Sequence, residues 1–325
     1  RMKSSLTIEN LSFAYKSTPV ISNFSLSVEA GSFTTLLGSS GCGKTTLLRL
    51  ISGFLQPQGG SILIDGVNQN GILPNKRRIA MVFQDYALFP HLTVQQNLLY
   101  GLSLGKKTRE QKQQNRELVQ RTAESLGIQN LLGRFPTELS GGQQQRVALG
   151  RALVLEPSLL LMDEPLSSLD TNLRIHVREE LREIQQKLGI TTVYVTHDQE
   201  EALSISDSIA IINGGSLVQH GSPRSIYFEP ADAFTAAFVG RANFIEEGAK
   251  TLLVRPEWIT LSSQPSPTSR AGIILSKEFL GSVIRCKINA NGIPLSADYP
   301  SSCTAEFPVD STVHLSFSRT WTLPN

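Results

Sequence analysis

Residues 32–54 read SFTTLLGSSGCGKTTLLRLISGF. SFTTLLG is a short apolar strand and a helix follows. Between them Gly38-Ser39-Ser40-Gly41-Cys42-Gly43-Lys44-Thr45 satisfies G-x-x-x-x-G-K-[ST], at the strand-to-helix junction where that pattern has a mechanism. Glycines let the backbone wrap until its N–H groups face an anion, and the helix adds the positive end of its dipole. Lys44 supplies a point charge and the Thr45 hydroxyl a ligand for Mg²⁺. The segment predicts a nucleoside triphosphate site on an α/β sheet. Cys42, inside the loop, is expected to act sterically, so that its modification blocks nucleotide.

The rest of the chain agrees with that sheet. SLLLMDE at 158–164, TTVYVTH at 191–197 and SIAIIN at 208–213 are strand-like runs separated by helical stretches, the grammar of a mainly parallel sheet. Upstream, Leu11, Phe13 and Tyr15, then Phe24, Leu26 and Val28, alternate with period two and predict half-buried antiparallel strands. Residues 94–155 read as a helical insert, with KKTREQKQQNRE at 106–117 as a solvated face. Leu173, Val177, Leu181, Ile184 and Leu188 share one helical face that packs on the sheet. After PADAFTAAFVG the text changes to short strands joined by Pro, Ser, Gly and Asn turns, with QPSPTS at 264–269 a loop. The expected domains are therefore 1–240 and a small all-β domain at 241–325.

Composition narrows the function. With 40% hydrophobic and 18% charged residues the chain is neither disordered nor collagen-like. Thirty Lys and Arg against 28 Asp and Glu leave +2, too little for the broad field of a dedicated nucleic-acid binder. Cys42, Cys286 and Cys303 are few, odd in number and far apart, which argues against a disulfide frame and a zinc site. The longest apolar runs are strand-sized, well short of the roughly 18 residues a membrane helix requires, and RMKSSLTIEN carries no apolar signal core.

Two further constellations carry chemistry. LLLMDE ends a buried strand in Asp163 and Glu164. Asp163 can hold Mg²⁺ through water, while Glu164 can orient and polarise an attacking water. In LSGGQ at 139–143, Ser140 stands three residues before Gln143 and forms a capping box opening GGQQQRVALGRALV; Gly141 and Gly142 leave backbone N–H groups bare for a second anion. Guanine recognition would call for N-K-x-D, but Asn75-Lys76 is followed by Arg77-Arg78, so adenine is the expected base.

On these motifs the chain resembles the nucleotide-binding subunit of ATP-binding cassette (ABC) transporters, over residues 5–240. Gly38 to Thr46, including Thr46 itself, match the family's P-loop; Gln84, in MVFQDYALFPHLTV, matches its Q-loop; LSGGQ is its signature. Asp163 and Glu164 match Walker B, SSLD at 167–170 with Asp170 the D-loop, and His197 in VTHDQEEA the switch histidine. The resemblance implies that Tyr15 stacks on adenine, that Gln84 is a ligand of magnesium and water, and that His197 senses the γ-phosphate. It also implies two copies sandwiching ATP and Mg²⁺, the signature of each serving the nucleotide of the other. GRANFIE at 240–246, the RPE of LLVRPEWI and FLGSVIRCKI resemble the oligonucleotide-binding-like barrel appended to many ABC import ATPases, abbreviated here towards Asn325.

The expectation is an ATPase peripheral to the cytoplasmic face of a cell membrane, powering solute uptake through transmembrane permease subunits. An extracytoplasmic substrate-binding protein is its indirect partner, and iron(III) or a polyamine the solute. No nucleic acid is expected. The rival is a soluble ABC-type ATPase acting on nucleic acid, opposed by the single cassette and by the lack of a long coiled-coil insertion. A non-catalytic ABC-like module would be expected to have lost Lys44, Glu164 or His197, and all three are present.

Overall fold

A computed structural model describes residues 3–167, 169–303 and 305–324. By contacts the chain divides into two compact units, Arg1–Pro223 and Arg224–Asn325. The 240/241 boundary expected from the change of sequence style falls inside the second unit, after two short helices. Arg1 and Asn325, the limits of the expected domains, lie outside the described residues.

The first unit opens with β1 (Leu6–Tyr15), β2 (Thr18–Val28), β3 (Phe33–Gly38), α1 (Lys44–Ser52), β4 (Gly59–Ile64), β5 (Val67–Asn68) and β6 (Ile79–Val82). The helical insert follows as α2 (Val94–Leu99), α3 (Arg109–Ser125) and α4 (Gly141–Leu153). Then come β7 (Leu159–Asp163), α5 (Thr171–Leu188), β8 (Thr191–Thr196), α6 (Gln199–Ile205), β9 (Ser208–Asn213) and β10 (Ser216–Gly221). One sheet is antiparallel, in the order β2-β1-β4-β5; the other runs β10-β9-β3-β8-β7-β6, parallel except for β10.

Alternation along the parallel strands decides which core each residue enters. Leu159, Leu161, Val193 and Val195 face a cluster shared with α1 and the antiparallel strands, while Leu160, Met162 and Tyr194 face a second cluster with the helical insert and α5. Both faces are covered, which is why β7 and β8 read as continuous apolar runs. On α5, Val177 and Leu181 are buried, and Ile184 and Leu188 pack against the second cluster as the helical spacing predicted.

The second unit begins one residue into α7 (Pro223–Phe228) and continues with α8 (Ala233–Val239), β11 (Asn243–Glu247), β12 (Lys250–Val254), β13 (Ile259–Ser262), β14 (Arg270–Phe279), β15 (Val283–Ala290), β16 (Ile293–Pro300), β17 (Thr312–Phe317) and β18 (Trp321–Thr322). A five-stranded antiparallel sheet, β13-β17-β14-β15-β16, curls until its edge strands β13 and β16 approach each other. It encloses Trp258, Ile274, Cys286, Ile288, Leu295 and Leu315. Arg255, fully buried, donates to the carbonyls of Tyr227, Ala236, Gly240 and Arg241 and lies 4.3 Å over the Tyr227 ring. That side chain satisfies the C-terminal carbonyls of α7 and α8.

Candidate nucleotide site

Pairing in register brings three strand ends to one edge. Leu36 of β3 lies beside Val195 of β8, and Val195 lies beside Asp163 of β7. The segments leaving β3, β7 and β8 are the glycine-rich loop, Glu164 and His197. Such an edge, at the carboxyl ends of parallel strands, is where open α/β sheets bind ligands.

The loop is held from within. Lys44 is buried, and its Nζ donates to the carbonyls of Gly38, at 2.7 Å, and Ser39, at 2.9 Å, with Cys42 Sγ at 3.7 Å. Gly43 caps α1 with φ 104°, and a Cβ there would meet Ile21 Cδ1 at 2.8 Å, so this position admits glycine on both conformational and steric grounds. Ser39, Ser40 and Gly41 are exposed, Cys42 is buried beneath them, and Thr46 is half-buried. Above the loop is a cleft of about 220 Å³ lined by Val20, Ser40, Gly41, Gly43, Lys44, Thr45, Thr46 and Glu164.

Asp163 and Glu164 follow different geometries. Thr45 Oγ1 donates to Asp163 Oδ1 at 3.2 Å. Burial pushes the Asp163 carboxyl above its ordinary range, the Thr45 hydrogen bond opposes this, and Glu164 reinforces it. Glu164 has φ 45°, a left-handed conformation that turns the chain at the strand end so that adjacent carboxylates need not point to opposite faces. Its N–H donates to Val195 O, and its carbonyl accepts from the N–H and Oγ of Ser167. His197 Nδ1 lies 3.0 Å from Glu164 Oε2.

A hydroxyl beside a carboxylate at the mouth of a phosphate loop is an all-oxygen donor pair, which fits Mg²⁺ completed by phosphate oxygens and water. Thr45 and Asp163 are the residues that would hold it, and the ion would neutralise charge on the phosphates.

The other residues singled out from the sequence lie outside this cleft. Tyr15, 42% exposed at the end of β1, meets Phe13 edge-on at 4.9 Å. Gln84 is exposed just after β6. Ser140 forms the expected capping box with Gln143: Gln143 N–H donates to Ser140 Oγ, and Ser140 N–H donates to Gln143 Oε1. The following glycines also serve packing, because a Cβ on Gly141 would meet Leu169 Cδ2 at 2.7 Å and one on Gly142 would meet Val177 Cγ2 at 3.2 Å. Asp170 caps α5, accepting from Leu173 N–H. Ser168, within SSLD, is outside the described residues.

A family model described as ABC transporter matches residues 21–167. The Fe(3+) ions import ATP-binding protein FbpC of Brucella abortus (strain 2308) is 52% identical over 242 residues, 74% of this chain and 67% of that one. The spermidine/putrescine import ATP-binding protein PotA of Bacillus cereus is 42% identical over 285 residues, 87% of this chain and 86% of that one. The chain belongs to the ABC transporter ATP-binding family. Among solved structures, cbiO1 from Clostridium perfringens, part of the ABC transporter complex cbiONQ, matches with a TM-score of 0.63 at 31% identity, over 68% of this chain and 89% of that one.

This ABC protein is thus an ATPase coupled to solute transport, working with permease components. Among the described residues no helix is long and apolar enough to cross a membrane. Its architecture also shows positioning residues that sequence reading passed over. Buried Glu201 accepts from Tyr194 OH and Thr196 Oγ1, Asp198 N–H donates to Thr196 Oγ1, and Arg174 lies 3.6 Å from Asp198 while donating to the carbonyls of Ser167 and Leu169. Together they fix the chain on both sides of His197. Asp198 to Glu201 had a local signal, an acid capping α6 with a second acid three residues on; Arg174 had none.

Proposed function

We propose that two copies of this chain bind two ATP molecules head to tail, and that hydrolysis there drives solute uptake at a membrane. The observation that carries the reading is a division of labour. Lys44, Thr45, Asp163, Glu164 and His197 meet at one sheet edge, while the exposed Ser140 capping box opens a different helix outside that cleft. A second copy would bring that helix end, with its bare N–H groups, to the phosphates.

In this reading Lys44 and the loop N–H groups hold the phosphates, and Tyr15 stacks on adenine. Glu164 accepts the proton of the water that attacks the γ-phosphorus as the bond to the bridging oxygen breaks. His197, within hydrogen-bond distance of Glu164, orients it and contacts the γ-phosphate. Gln84 joins Thr45 and Asp163 around Mg²⁺ and water. Asp170, at the cap of α5, faces the partner copy. The closed pair binds ATP better than ADP, and that difference moves the permease.

An apolar groove of about 440 Å³, lined by Phe54, Met81, Phe83, Tyr100 and Leu155 among others, lies beside Gln84 and is the surface offered to a transmembrane permease subunit. In this reading the chain sits peripherally at the cytoplasmic face of the membrane, with an extracytoplasmic substrate-binding protein as indirect partner. The names of the two relatives support iron(III) or a polyamine as solute. They weigh against action on nucleic acid. Residues 241–325 form the appended regulatory β-domain in this reading.

Glu164→Gln tests the proposal. The variant should retain ATP binding, lose turnover by a factor of at least about 100, and elute as a dimer with Mg-ATP but not with Mg-ADP. Wild-type turnover, or a monomer under saturating Mg-ATP, would overturn it.

A further inference from the structure

The segment that carries Gln84 has an unusual backbone. Tyr86 and Ala87 are consecutive non-glycine residues with φ 59° and 48°. Left-handed conformations at such residues persist only where their surroundings impose them. Two anchors do so. Asn97 of α2, fully buried, accepts from Phe89 N–H and donates to the carbonyls of Phe89, Leu92 and Thr93. Arg151 of α4 spans the strained pair itself: its guanidinium donates to Tyr86 O, at 2.9 Å, and to Ala87 O, and lies 5.5 Å over the Phe89 ring.

A left-handed pair turns successive carbonyls towards one side, and a guanidinium can satisfy both because its donors form a rigid planar fork. The anchor is therefore specific to arginine. It sits ten residues along α4 from Gly141, about 15 Å at 1.5 Å per residue. The same helix begins at the Ser140 capping box. On its other side, Phe83, Ala87 and Phe89 line the apolar groove together with Arg151. One side chain thus touches the Gln84 segment, the groove wall and the helix that presents the signature.

We propose that Arg151 is the positioning residue that holds Tyr86 and Ala87 in their left-handed turn and, through that turn, sets the placement of Gln84. A shift of the groove wall is passed by the same contacts to α4. The proposal rests on the reading of Gln84 as a ligand of magnesium and water. Arg151 touches no nucleotide in this scheme; its effect on hydrolysis runs through Gln84.

The test is a double-mutant cycle on the full chain, with kcat and KM for Mg-ATP measured for wild type, Arg151→Ala, Arg151→Lys, Gln84→Ala and Arg151→Ala/Gln84→Ala. Melting temperatures establish that each variant is folded, and the lysine variant keeps the charge should the alanine variant fail to fold. Arg151→Ala or Arg151→Lys should lower kcat about 3- to 30-fold with KM unchanged. Lysine should rescue in part only, because a point charge cannot span two carbonyls. Amide exchange at residues 85–89 should rise in both.

In the Gln84→Ala background the arginine substitution should cost nothing further. The same cycle with lysine serves if the alanine variants do not fold. Losses that multiply, with Gln84→Ala itself impaired, would overturn the proposal and leave the reading of Gln84 standing. An unimpaired Gln84→Ala would overturn both. A rise in KM with kcat unchanged would assign Arg151 to nucleotide binding and overturn the positioning role.

Discussion

Asp163 sits where its charge is costly. Burial and the adjacent Glu164 raise its pKa, and only the Thr45 hydrogen bond and the charges of Arg49 and Lys44 oppose them. A carboxyl raised in the folded state contributes stability that is fully present below its unfolded pKa and lost as pH rises through the folded one. Asp163→Asn removes the penalty, so the nucleotide-free variant should melt above wild type at pH 7 to 8, and the gap should shrink as pH falls through the carboxylate range. ATP hydrolysis should be lost in the same protein, since the amide is a poor substitute for a carboxylate near Mg²⁺. Thermal melts across pH check the first part; a variant that melts below wild type at neutral pH contradicts it. Asp163 and Glu164 were legible as a pair from LLLMDE alone. The left-handed turn at Glu164 and its contact with His197 were not, because both depend on strands far apart in the chain lying side by side.

Local sequence specified most elements because their periodicities are strong. Leu173, Val177, Leu181, Ile184 and Leu188 mark the buried side of α5, and Ser140 with Gln143 marks the start of α4. The chemistry of Gly141 was only half visible. Its N–H is bare because the residue opens a helix and has no side chain to shield it, whereas its closeness to Leu169 comes from the docking of the segment before α5. Arg255 shows the same limit in the second unit. The RPE stretch marked it as part of a resemblance, but its burial comes from the ends of α7 and α8 docking against it. Arg255→Ala would leave four carbonyls without that donor, a cost of about 3 kcal/mol. The expected result is a lower melting temperature and faster amide exchange in residues 224–241; unchanged exchange there would contradict the role.

Taken as a molecule, the chain carries a net charge of only +2, so no broad field attracts polyanions. Binding to duplex DNA at physiological salt should be weaker than about 1 µM, measured by anisotropy, and tighter binding would favour the rival reading as an ATPase acting on nucleic acid. Fold class and the order of the nucleotide motifs followed from the amino-acid order, because phosphate loops, caps and amphipathic faces are encoded over a few neighbouring positions. Which of those motifs share a cleft required the pairing of β3, β8 and β7 in register, and the clamp of Arg151 on Tyr86 and Ala87 required α4 to dock beside the segment after β6. Contacts between residues so distant in the chain arise from packing, whose energy is shared among many side chains and leaves no short pattern to read.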